Sequence, residues 1–237
     1  MLQFTYDGYL PASQEISVKS KGVTSITQVI EAAKSIGDIA DAAGGGAVGD
    51  TSGNRLVLAA NTAKSLTNKA VSGSVHVNIT AIDTTDPDQM NLFAGSFALE
   101  ARHNADEHTL EAYAAANFQV TQNGAPVVID GAASAEIYLA LPSGTDLEEG
   151  DSVATWHFNV ETGRWEAEGE GTVTRVDGRL VVVVEVSSFG WWCCGYVEAD
   201  PHCIRGTVTD NSGAPLEGAT VIAIGLDHRS VHTAVTD

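Results

Sequence analysis

Residues 181–196 read VVVVEVSSFGWWCCGY. The stretch holds two of the chain's four tryptophans and two of its three cysteines. β-Branched residues are stiff in a helix and pack well on a pleated surface, so "GRLVVVVEV" reads as a strand. Successive side chains of a strand point to opposite faces. A continuous valine run therefore needs apolar cover on both sides and reads as a central strand inside a sheet stack. The same alternation sends Cys193 and Cys194 to opposite faces.

Working outward from this strand, the pattern is mostly β. "RLVLAA" and "SGSVHVNITAID" are strands, the second with Val75, Val77 and Ile79 on one face. "EAYAAANFQVTQNGAPVVID" is strand, turn, strand, with Asn123-Gly124 as the hairpin signal. "AEIYLALP" is a further strand, and "ATWHFNVETGRWEAEGEGTV" is a hairpin turning at Glu161-Thr162-Gly163. Residues 2–20 carry short strands around Tyr6-Asp7-Gly8-Tyr9 and Pro11. One segment differs. Val29, Ala33, Ile36, Ala40 and Ala43 fall at helical spacing, with a capping box at Ser25 and Gln28 and a stop at Gly44-Gly45-Gly46. The expectation is a mainly β chain of sandwich modules, immunoglobulin-like or transthyretin-like, with one short helix near 26–43.

The formal charge is −19, from 31 acidic and 12 basic residues, of which five are Lys. Nucleic acid and anionic lipid both need Lys and Arg to displace counterions, so neither is an expected partner. No stretch reaches the roughly 18 apolar residues of a membrane span, so no membrane insertion is expected. The start, "MLQFTYDGYLPAS", has no basic end and no apolar run, so it does not read as a signal peptide.

Two sets of residues carry a resemblance. "GTVTDNSGAPLEGATVIAIG", with Gly206, Val208, Gly213, Pro215, Leu216, Gly218, Ala219 and Val221, resembles the start of a carboxypeptidase regulatory-like domain, a transthyretin-like sandwich. "FTYDGYLPASQEISVKS" is similar to the end of the same module. "SGNRLVLAAN", "VSGSVHVNITAIDTTDP", "FAGSF", "TWHFNVETGRWEAEGEGTV" and "SSFGWW" resemble the extracellular sandwich of cartilage intermediate layer protein and its bacterial relatives. The resemblance implies terminal strands of one module at 1–22, a linker or helix at 23–43, a central sandwich at 44–196, and the first strands of another module at 197–237. A related group of sandwiches cleaves itself at a His-Phe-Ser motif on the last strand. Here that place reads Ser188-Phe189-Gly190, with Gly190 where the nucleophile belongs and no base beside Ser188 in sequence. What the resemblance leaves is structural: Phe189, Trp191 and Trp192 close the core at the last strand.

The resemblance also implies a disulfide between Cys194 and Cys203, a short loop at the module junction stabilising by roughly 2–3 kcal/mol at best. Free buried thiols, and zinc held by the three cysteines and His202, remain as alternatives. Asp83, Asp86 and Asp88 in "DTTDPD" can supply oxygens to calcium, or form a solvated acidic loop. The run from Asp146 to Asp151 invites the same choice. Trp156 and Trp165 sit across a hairpin, as a glycan platform if exposed or as core if buried. The seven histidines are scattered and read as surface residues. No phosphate loop or serine-hydrolase elbow occurs.

The expected function is a non-enzymatic structural or adhesive segment of an extracellular or cell-surface modular protein, without a cofactor unless calcium binds the acidic loop. Its expected partners are adjacent modules or other copies, the end strands completing each other head to tail in a filament. The alternatives are a glycan-binding sandwich and a degenerate autoproteolytic one.

Overall fold

The computed structural model describes residues 2–4, 6, 8–14, 30–86, 89, 109–129, 134–198, 206–224 and 231–236. They form a mainly β protein. β1 (Leu2–Phe4) and β2 (Ala12–Gln14) make a small N-terminal hairpin. The central sheet contains β3 (Ser35–Ile39), β4 (Gly46–Gly49), β5 (Arg55–Leu58), β6 (Ala63–Ser65), β7 (Val75–Ile82) and β8 (Thr109–Gln122). It continues with β9 (Ala125–Ile129), β10 (Ala135–Ala140), β11 (Ser152–Asn159), β12 (Arg164–Val176), β13 (Arg179–Val186) and β14 (Gly190–Glu198). β15 (Thr220–Ile224) and β16 (Val231–Val235) pair as a further hairpin.

The central strands run β3-β7-β8-β14-β11-β12-β13-β10-β5-β4, with β9 beside β8 and β6 beside β9. All these ladders are antiparallel. The sheet curls until β3 and β4, its two edges, nearly meet. Side chains close the seam where no ladder does. Ile39 Cγ2 lies 2.8 Å from where a Cβ on Gly46 would sit, and Val48 Cγ1 lies 3.6 Å from the same point on Gly37.

The curl encloses the main core. Val75, Val77 and Ile79 of β7 face inward together, as their spacing predicts. Phe118 and Val120 of β8, Ile137 and Leu139 of β10, and Val182, Val184 and Val186 of β13 join them. The valine strand is less symmetric than expected. Val181 is buried on its other face, but Val183 is half-buried and Glu185 is exposed.

The strand covered on both faces is β14. Trp192 and Cys194 point into the main core, while Trp191 and Cys193 enter a second cluster on the outer face. That cluster holds Ile82, Leu110, Ala115, Phe158 and Trp165, and is covered by Leu10 and Ala33 from the N-terminal segment.

The expected helix is overturned where it is described. Residues 35–39 form β3, pairing with β7 through Asp38↔His76 and Ile39↔Val75. Gly37 weakens a helix by about 1 kcal/mol, and β7 offers an open ladder edge that satisfies the same backbone groups. Ile39 is buried in the main core as a result. Residues 25–29, with the capping box, lie outside the described residues. The central sheet therefore begins at Ser35, within the segment expected to be a linker. Among the described residues of the expected first C-terminal strand, from Gly206 on, the pairing is one bridge, Thr209↔Pro215.

Between Cys194 and Gly195 the β14–β8 register shifts. A Cβ on Gly195 would overlap the carbonyl oxygen of Glu111, which is backbone and cannot swing aside. Gly195→Ala is expected to lower the free energy of unfolding by about 1–3 kcal/mol. Gly206→Ala, where the added carbon meets open space, should leave the urea midpoint nearly unchanged.

Candidate functional site

The densest chemistry lies at the turn from β13 into β14. His157 on β11 sits opposite Trp192 on β14 in the ladder. Its ring lies 4.9 Å from the Trp192 ring, tilted by 40°. Ser188 Oγ is 3.5 Å from His157 Nε2. Trp192 donates its Nε1–H to the Ser188 carbonyl at 3.2 Å, which holds the turn against the strand it precedes. Gly190 adopts φ 135°, and a Cβ there would stand 3.1 Å from His157 Nε2. The imidazole therefore lies against Gly190, and glycine suits both the backbone angle and the space.

The sequence showed no base beside Ser188. The strand pairing supplies one from 31 residues away, and His157, read there as a surface histidine, is half-buried. The signal was the alternation in "TWHFNV". With Trp156 and Phe158 facing the outer cluster, His157 must face the other way. Burial lowers the His157 pKa from its usual 6.5, opposed by the Glu168 carboxylate, a hydrogen bond with the Phe189 backbone and the Glu166 carboxylate. A neutral imidazole can accept a serine proton, but 3.5 Å is long for an O–H···N bond. Position 190, where the self-cleaving motif has its nucleophile, offers no side chain. The arrangement fits a sealed turn better than a working nucleophile.

The remaining expected sites divide between buried and outlying residues. Phe189 is half-buried against the main core, and Trp191 and Trp192 are each 1% exposed, in different clusters. Trp165 is also 1% exposed, and Trp156 packs on the outer cluster beside it. The cross-strand partner of Trp165 is Phe158, their rings 5.4 Å apart. Trp165 is therefore core, with no free face to stack on a sugar, while Trp156 is half-buried. Cys193 and Cys194 are free thiols, both fully buried. Burial is the main cause that raises both pKa values, that of Cys194 to about 12. Cys203 and His202 lie outside the described residues, so no disulfide or zinc geometry is described for them.

Asp83 accepts hydrogen bonds from the backbone and hydroxyl of Thr85, at 2.9 and 2.6 Å, and Gln89 donates to Asp86 at 3.1 Å. Asp88 lies outside the described residues. Among the described residues no three His, Cys, Asp or Glu side chains gather as a metal site. In the 146–151 run, Asp151 caps the Glu148 amide at 2.7 Å, and Glu149 lies 3.7 Å from Arg175. A cleft of about 800 Å³ is lined by Lys34, Asp50, Asn54, Thr84, Tyr113 and Arg179 among others. Its charges are mixed. Asn54 is already used, donating to Asp50 at 3.0 Å and accepting from the Ala140 amide at 2.9 Å.

The extent of the central sheet can be set beside known families. A family model described as FAM171A1/A2/B, N-terminal, matches residues 53–197. That stretch is more than half of the chain and runs from just before β5 into β14. The chain belongs to the FAM171A1/A2/B N-terminal family. The family match covers the His157 turn, both tryptophan pairs and the two buried cysteines, and it starts after β3 and β4. It supports the β-rich central unit and lends nothing to bacterial relatives. No curated protein and no solved structure matches the chain. Among the described residues no helix is long and apolar enough to cross a membrane.

Two outcomes are expected of this family member's core. His157 binds a proton less readily folded than unfolded. Stability is therefore full above the unfolded value of 6.5 and falls as pH drops through it, until the folded pKa is passed. Urea unfolding from pH 8 to pH 5 should show this loss, and His157→Gln should flatten it; equal slopes would assign the loss to other groups. In the native chain, Cys193 and Cys194 should not react with Ellman's reagent, and both should react after unfolding without reductant. Reaction of Cys193 but of neither Cys194 nor Cys203, read by peptide mass, would place Cys194 in a bond with Cys203.

Proposed function

We propose that this chain is a non-enzymatic structural or adhesive segment of an extracellular modular surface protein, whose copies join head to tail. In this reading the central unit is a sandwich like that of cartilage intermediate layer protein, and the C-terminal hairpin is carboxypeptidase regulatory-like. Its partners are other copies or adjacent modules, and no cofactor takes part.

The observation that carries the reading is the β15–β16 hairpin. Val221 and Ile222 are consecutive and face opposite ways, yet they are 40% and 44% exposed. Val235 is 65% exposed and Leu216 43%. A two-stranded hairpin is marginal in water by itself, and apolar residues on both of its faces call for cover. A strand added to its edge supplies that cover along with backbone hydrogen bonds. Because the surface donated differs from the surface received, such contacts continue into open filaments instead of closing into rings.

Light scattering after gel filtration is the test. Mass should grow with concentration, and Val221→Asp with Ile222→Asp should return the chain to a monomer. A wild-type chain that stays monomeric at high concentration would remove the assembly part of this reading.

A further inference from the structure

One glycosylation motif stands in the chain. Asn78-Ile79-Thr80 has the spacing of an N-glycan acceptor, and no other asparagine of the sequence is followed two places on by Ser or Thr. The motif lies in β7, inside the family-matched stretch.

The fold turns the acceptor outward. Val75, Val77 and Ile79 enter the main core, so His76, Asn78 and Thr80 face the other way. Asn78 is half-buried in mid-strand, and among the described residues no hydrogen bond holds its carboxamide. The side chains around it on this face are polar. Its ladder partners are Ser35 of β3, exposed, and Gln119 of β8, half-buried. Further along β7, His76 stands between Asp38 and Thr121, with Nδ1 2.7 Å from Asp38 Oδ1. On β7 the aromatic outer cluster begins beyond Thr80, at Ile82. A sugar on Asn78 Nδ2 therefore leaves the sheet over a polar surface and displaces no core side chain.

Thr80 has two tasks. In an extended chain its hydroxyl completes the motif that the glycosylating enzyme reads. In the folded protein it is 5% exposed, and its Oγ1 accepts the Lys34 amide at 2.9 Å. The folded motif is closed to the enzyme, while the asparagine stays at the surface. Transfer to Asn78 thus precedes the docking of β3 on β7.

We propose that Asn78 carries an N-linked glycan, added to the unfolded chain during export and held on the outer face of β7 after folding. The donor is an oligosaccharide linked to a polyprenyl diphosphate. Asn78 Nδ2 bonds to the anomeric carbon of the first sugar, the bond from that carbon to the diphosphate oxygen breaks, and the lipid diphosphate leaves as Nδ2 gives up one proton. A glycan is bulky and solubilising, so it keeps this face out of contacts between copies. The inference rests on the extracellular reading above and not on assembly through the hairpin.

The test expresses the full chain behind a cleavable secretion leader in cultured animal cells. Secreted protein is treated with peptide-N-glycosidase F in heavy-oxygen water, and the peptide holding position 78 is read by mass. A loss of mass on digestion is expected, with a heavy aspartate left at position 78. Thr80→Ser should keep the glycan, and Thr80→Val, which retains the shape without the hydroxyl, should lose it. Secreted wild-type chain with Asn78 bare would overturn the proposal, as would a glycan confined to chain retained in the cell. Light scattering of the same fractions reads assembly separately. Mass growth with a bare Asn78 removes the glycan and leaves the assembly reading, and a glycosylated chain that stays monomeric does the reverse.

Discussion

The structure depends on burying β14 from both sides. A strand covered on both faces needs apolar residues at every position, because its side chains alternate. Trp191 and Cys193 meet that demand on one side, Trp192 and Cys194 on the other. β14 lies between β8 and β11, so it fixes the middle of the sheet. The register shift at Gly195, against the Glu111 carbonyl, is the local cost of keeping both neighbours in contact.

Other features follow from that double burial. The strand must be entered through a tight turn, and His157, Gly190 and the Trp192 indole close it. The outer face of β14 must be covered, which brings the N-terminal segment back across the sheet to place Leu10 there. Both thiols are removed from solvent, and their raised pKa values keep them protonated and inert. Charge is left to loops such as the Glu148–Asp151 turn and to the exposed positions of strands, as at Glu136, Glu168 and Glu185.

This distribution bears on function. Residues 53–197, the stretch matched by the family, supply most of the main core, and the polar groups nearest to chemistry are engaged in packing. Ser188 and His157 hold a turn, and Asn54 holds a loop. Among the described residues, the C-terminal segment keeps Leu216, Val221, Ile222 and Val235 exposed, while the aromatic outer cluster is buried.

Much of the fold was legible in the sequence because alternation and turn chemistry are local. Val75, Val77 and Ile79 announced one face of β7, and Asn123-Gly124 marked a turn whose two residues take positive φ, 52° and 80°. The segment around Ile36 misled because apolar spacing fits a helix as well as a strand with a bulge. The open edge of β7, which decides between them, lies about forty residues away in the chain. His157 was hidden for the same reason: alternation shows that it faces away from Trp156, and only the β11–β14 pairing shows that Ser188 and Gly190 are there. The sequence by itself determined most of the strands and the inward face of β7, but it assigned two-sided burial to the valine run of β13, while β14 is the strand covered on both faces. Only the tertiary structure decided what covers it, because sheet order and the return of the N-terminal segment that places Leu10 on the outer cluster are contacts between distant residues that no local pattern encodes.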